Sequence, residues 1–167
     1  DCNGWDEGEM SVFTGIQHNL DVSALAGWTE CYRDYYDNSS TPMTDIKAAC
    51  AGTDLIVACK EAGSSILTVA AQGAFDDVFF ETGTGNVGHV ANGVEWYYDD
   101  NYSWGYVEPG DGMSRNSCDT DSGVYPENRV CFHTGGGNIN SGYRCGSNTG
   151  LNGATSHERV VYSANGV

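Results

Sequence analysis

Lysine is nearly missing from this chain. Lys47 and Lys60 are the only two, and Lys and Arg together number 7 against 23 Asp and Glu, for a formal net charge of -16. Such a surface repels phosphate backbones and anionic lipid, which argues against nucleic-acid and membrane-surface partners. No apolar run approaches the ~18–20 residues needed to cross a bilayer, so no membrane insertion is expected. The chain starts at Asp1 rather than Met and shows no leader, which fits a processed chain whose signal peptide has been removed. Local catalytic signatures are also missing. There is no G-x-S-x-G elbow and no H-E-x-x-H, and no two of His18, His89, His133 and His157 stand at i, i+4. His157 and Glu158 are neighbours on a candidate strand and point to opposite faces. GTGNVG at 83–88 fits G-x-G-x-x-G, but hairpin and strand signals follow it instead of the helix that a dinucleotide site needs. The expectation is a protein that is not an enzyme.

Cysteine is plentiful at seven: Cys2, Cys31, Cys50, Cys59, Cys118, Cys131 and Cys145. None forms C-x-x-C and no His lies at zinc-finger spacing, so disulfides in an oxidising compartment account for them better than metal. Six make three bridges. Cys118–Cys131 follows from the turn-like segment between them. Pairing among Cys31, Cys50, Cys59 and Cys145 is not deducible from sequence, and the working choice is Cys31–Cys59 with Cys50–Cys145. Cys2 is then left over, as a link to another chain or as a reduced or trimmed thiol.

Strand signals dominate the rest. About ten short apolar or aromatic runs recur with turn residues between them, the pattern of an antiparallel β-sandwich, jelly-roll-like and disulfide-stapled. They are expected near 10–17 and 28–36, in TDLIVACK, SSILTVAAQ, DDVFFETG, VEWYY, YSWGYV and NRVCFHT, and finally in GYRCG and HERVVYS. One helix is expected over 41–52, with Thr41 as N-cap, Pro42 at the first position and Gly52 as its stop. Asn-Gly occurs four times, at 3–4, 92–93, 152–153 and 165–166, and favours tight hairpin turns. Residues 1–26 read as an N-terminal extension and 27–167 as the sandwich domain.

The aromatic run VEWYYDDNYSWGYV places Val94, Trp96 and Tyr98 on one strand face and Glu95 and Tyr97 on the other. Tyr102, Trp104 and Tyr106 share a face of the next strand. Trp96 and Trp104 read as core. Trp5, Tyr97 and Tyr98 are candidates for stacking on sugar, because rings beside acids suit carbohydrate faces. Asp119, Asp121 and Glu127 offer hard oxygen ligands for calcium, against the plainer reading of solvated loop acids; the spacing is not that of an EF-hand. Asn38-Ser39-Ser40 and Asn101-Tyr102-Ser103 are sequons in expected loops, open to glycan in a secreted eukaryotic chain.

From Gly27 onward the signposts GWTECYRDYY, CAGTDLIVACKEAG, HVANGVEWYY, YSWGYVEPGD, RNSCDTDSG, RVCFHTGGG, GYRCG and HERVVY resemble a family of secreted bacterial domains of unassigned function. The resemblance implies an extracellular β-rich module and brings no active site. Residues 1–26 and Cys2 depart from it. The chain is also similar to protomers of helical extracellular fibrils from environmental water. A secreted or cell-surface structural subunit is therefore expected, polymerising with itself head to tail as the N-terminal extension completes a neighbour's sheet, with Cys2, Val12, Phe13 and Ile16 at the joint. That reading fails if residues 10–20 fold back on their own domain and the protein stays monomeric. The alternative is a carbohydrate-binding module; a secreted hydrolase ranks below both.

Overall fold

The computed structural model describes residues 9–166. Eleven strands form two antiparallel sheets packed face to face. In chain order they are β1 (Gln17–Asp21), β2 (Thr29–Tyr35), β3 (Thr41–Pro42), β4 (Asp54–Glu61), β5 (Ile66–Ala74), β6 (His89–Ala91), β7 (Val94–Tyr98), β8 (Ser103–Val107), β9 (Val130–Gly135), β10 (Asn138–Cys145) and β11 (His157–Ala164). The first sheet has the order β1-β5-β4-β11-β2 and the second β3-β10-β9-β8-β7-β6. Helix α1 spans Met43–Ala49 and α2 spans Phe75–Val78.

Alternation builds the central core. Leu55, Val57 and Cys59 of β4 point inward with Val69 and Ala71 of β5 and Val161 of β11. Trp96, Tyr98, Trp104, Tyr106 and Phe132 meet them from the second sheet, and Trp96 and Trp104 are fully buried. The Asn92-Gly93 turn joins β6 to β7 with φ of 55° and 72°, the paired positive values of a type I′ hairpin. Gly105 is needed for another reason: a Cβ there would lie 2.0 Å from the Val130 carbonyl oxygen.

Both outer faces carry apolar side chains too. Ile56, Ala58, Ala70, Val160 and Tyr162 form a cluster outside the first sheet. Tyr97, Val107, Met113, Cys118 and Cys131 form one outside the second. Residues 13–28 cover the former and the loop 108–129 covers the latter. Strands apolar on both faces read as continuous runs such as LIVAC and RVVY, without clean alternation.

Several expectations change. The strand foreseen at 10–17 lies at Gln17–Asp21. DDVFFETG is not a strand: α2 starts at Phe75, and Phe79 stacks on Trp104 at a centroid distance of 5.0 Å. Burial of its aromatic ring decides the local structure over β-propensity. Helix α1 is shorter than 41–52 and has Pro42 at its N-cap position without a side-chain capping bond, while Thr41 pairs with Ile139 as part of β3. Tyr102 precedes β8, and its hydroxyl donates to the Arg115 carbonyl.

Three disulfides staple the sandwich. Cys118–Cys131 is as foreseen. The other two are Cys31–Cys50 and Cys59–Cys145, which corrects the working choice of Cys31–Cys59 and Cys50–Cys145. Cys59 faces inward from β4 and meets Cys145 at the end of β10 across the core, with Cα atoms 5.7 Å apart. Cys31 lies on edge strand β2 beside the end of α1, 5.2 Å from Cys50. These pairings place all six cysteines among the described residues in bridges.

Candidate functional site

Strands β1 and β2 are consecutive in the chain but sit at opposite edges of the first sheet. Their connection must therefore cross the sheet, and it does so on the outer face. Val22 donates to the Ser65 carbonyl at 2.9 Å, Leu25 is buried against the outer cluster, and Trp28 packs beside it. The residues before β1 cross the same face in the other direction. The Phe13 amide donates to Gln72 Oε1 at 2.7 Å, and the Gly15 amide to the Asn92 carbonyl at 2.9 Å. Asn92 Nδ2 donates to the Phe13 and Gln72 carbonyls, tying this segment to the β6–β7 turn. The loop closes on itself: Ser11 N–H donates to the Ala26 carbonyl at 3.1 Å, and Trp28 Nε1–H to the Ser11 carbonyl at 2.7 Å. Residues 11–28 are thus a lasso laid over an apolar sheet face, with β1 supplying its sheet hydrogen bonds through Gln17–Ala70, His18–Val69, Leu20–Leu67 and Asp21–Ile66 pairing.

This corrects the picture of residues 1–26 as an extension outside the domain, as far as the described residues 9–26 go. Phe13 packs in the outer cluster and Ile16 against the central core, while Val12 is 60% exposed. Residues 10–20 do fold back on their own domain. Cys2 and Trp5 lie outside the described residues.

The other edges are poor templates for strand addition. β1 itself is kinked at Asn19, whose φ is 50°, and β2 carries an irregularity opposite Val161–Tyr162. β3 and β6 have two and three residues. Short, kinked or bulged edges resist edge-to-edge pairing.

A cleft of about 360 Å³ opens where β1 meets the end of the second sheet, lined among others by His18, Asn19, Glu127, Ser147 and Asn148. His18 Nε2 hydrogen-bonds Asn128 Oδ1, and Asn128 Nδ2 donates to Glu108 Oε2 at 2.7 Å.

The sugar-stacking tyrosines are not available. Tyr97 and Tyr98 are both fully buried. Tyr97 donates its hydroxyl to the Val130 carbonyl at 3.0 Å under the Arg115 guanidinium, and Tyr98 packs edge-on against Phe79 with Lys47 4.5 Å above its ring. Burial, with the Asp119 charge second, pushes the Tyr97 hydroxyl pKa well up. The period-two alternation of β7 holds, but loop 108–129 buries the face that carries Tyr97.

The calcium grouping is not assembled either. Asp119 is fully buried and bound to Arg129 at 2.5 Å, and its other oxygen accepts from the Ser114 and Asp121 amides. Asp121 accepts from the Gly123 amide, and Glu127 lines the cleft instead. Among the described residues no three His, Cys, Asp or Glu converge on a metal position. Both sequon asparagines are exposed, in turns on either side of the β9–β10 hairpin. Asn101 Oδ1 accepts from the Gly136 amide, and the Ser40 amide, in the Asn38 sequon, donates to the Ile139 carbonyl.

What sequence reasoning missed is where the cations go. Lys60, Arg115, Arg129, Arg144 and Arg159 are all buried. That leaves Arg33 and Lys47 as the accessible basic side chains. Of the described acids, Asp119, Glu158 and the side chain of Asp111 are buried. The surface is therefore almost purely anionic. Asp111 pairs with Arg129 at 3.1 Å and accepts from the Val124 and Tyr125 amides. Burial raises its pKa, but these donors outweigh that and hold it below the usual carboxylate range. A folded-state pKa below the unfolded one stabilises above the unfolded value of about 3.9, and the contribution is lost as pH falls through the folded value. Acidification below about pH 4 is thus expected to loosen the 108–129 loop. Amide exchange of Val124 and Tyr125 followed through an acid titration checks this, and Asp111→Asn should flatten the response.

The fold defines the class: a disulfide-stapled antiparallel β-sandwich whose outer faces are sealed by its own N-terminal lasso and a long loop. Comparison with family models, curated proteins and solved structures gives no match. Among the described residues no helix is long and apolar enough to cross a membrane, and three disulfides are compatible with an extracellular location.

Proposed function

We propose that this protein is a structural subunit of a secreted fibril, assembling with copies of itself through its N-terminal segment. One observation carries the reading. Residues 11–28 form a separate layer that supplies an edge strand and seals an apolar face, so the segment and the face are complementary surfaces joined by a single stretch of chain. The absence of local catalytic motifs and the resemblance to extracellular fibril protomers support it. Electron microscopy of the purified, non-reduced protein is the test, and regular filaments are the expected result. Only dispersed single particles across protein concentration and salt would end the proposal.

The anionic surface adds a condition. Copies of this chain repel one another until salt screens them, and the screening length falls from about 30 Å at 0.01 M to about 3 Å at 1 M. Filament mass is therefore expected to rise with ionic strength. Sedimentation at several salt concentrations checks this, and a fall with salt would show that charge attraction drives assembly instead.

A second reading keeps the carbohydrate-binding module but moves it. The cleft beside β1 offers Asn, Ser and His side chains and one carboxylate, groups that suit hydroxyl-rich neutral ligands. A glycan array with no binding, or binding that survives Asn148→Ala and Glu127→Gln unchanged, counts against it.

A further inference from the structure

The lasso is docked on its own sheet, yet nothing in its packing requires the sheet to belong to the same chain. We infer that the joint between subunits is an exchange: residues 11–26 of one copy leave their own sheet and take the identical position on the next copy. This rests on the fibril reading and specifies its interface.

The receptor is the outer face of Ile56, Ala58, Ala70, Val160 and Tyr162 together with the edge of β5 that β1 covers. Uncovered, it would expose a contiguous apolar patch and a row of unpaired backbone groups, so a copy that gives up its lasso must receive another. The hydrogen bonds and apolar packing given up within one chain are remade between two, so exchange costs little beyond association itself. The hinge is at Gly27, whose φ of 86° suits glycine and where a Cβ would strike the Met10 side chain. It sits just after the Ser11–Ala26 closure and before β2 begins at Thr29. Exchange in one direction around this hinge is heterologous, and heterologous interfaces that do not close propagate as fibres. The blunted edges β2, β3 and β6 leave β5, once β1 has left it, as the edge able to accept a full partner strand.

Gln17 and Ala70 face each other across β1 and β5. Directly opposed residues of antiparallel strands have Cα atoms about 4.5–5.5 Å apart, within disulfide range. The experiment mixes full-length Gln17→Cys with full-length Ala70→Cys under assembly conditions, oxidises, and maps the 17–70 bridge by mass spectrometry. Each single variant lacks the partner thiol, so the bridge forms only between chains. Filaments with that bridge are expected. Alongside them, the Gln17→Cys/Ala70→Cys double variant, locked within one chain before assembly, should lose filaments altogether. Filaments without the interchain bridge, or undiminished filaments from the locked variant, overturn the exchange and leave the fibril reading standing. No filaments from the unmodified protein under any condition removes both.

Discussion

Replacing Cys59 and Cys145 together by Ala should cost about 4–5 kcal/mol, the expected loss for opening a cross-link that closes a long loop. The pair is separated by 86 residues and is the bridge that ties one sheet to the other through the central core. Domains of this size are stable by only about 5–15 kcal/mol, so the variant should lose about a third or more of its stability. Removing Cys118–Cys131, which spans 13 residues, should cost about 3 kcal/mol. Its loss should also be local, because that bridge pins a surface loop to β9. Urea unfolding of the two double variants checks the order. Equal losses would mean that chain entropy does not set these contributions. A smaller loss at Cys59–Cys145 would mean that packing around the bridge already holds the sheets together.

The second large effect is expected at Asp119→Ala. Asp119 holds Arg129, accepts the Ser114 and Asp121 amides, and through its carbonyl accepts from Arg144. Removing one partner of a buried ion pair strands the other charge and typically costs about 3–5 kcal/mol. Here the stranded group is Arg129, with no accessible surface and only Asp111 and the Gly112 carbonyl left to hold it. The loop 108–129 should loosen over Tyr97 and Val107 and become open to proteases, while Cys118–Cys131 keeps it tied to β9 and the sheets persist through the central core. Limited proteolysis with mapped cut sites measures this. Uniform cleavage across the chain would instead show that the loop and sandwich unfold as one unit. Removing the whole charged triad, Asp119→Leu with Arg129→Met and Asp111→Asn, should recover part of the loss, since no buried charge is then left without its partner.

Much of this protein is already written in its local sequence. The runs at 28–36, 53–60, 64–72, 94–98, 102–107 and 157–163 are strands because their β-branched and aromatic residues fit a pleated, buried surface. The Asn92-Gly93 hairpin and the Cys118–Cys131 bridge are legible because both are local: one is set by backbone conformation at two residues, the other by a short turn. Trp96 and Trp104 are legible as core from period alone. Tertiary structure decides everything that depends on what covers a strand's second face. Tyr97 and Tyr98 have the chemistry of a binding surface until a loop and α2 close over them. Asp119 has the chemistry of a cation ligand until Arg129, ten residues on, takes the place of the cation. Cys31, Cys50, Cys59 and Cys145 have more than one pairing on paper, and only the crossing of β4 and β10 selects among them. The N-terminal segment shows the limit most clearly. A strand is expected there at 10–17, yet it forms at Gln17–Asp21, because the edge of β5 that it pairs with, and not the local pattern, fixes where the chain becomes a strand.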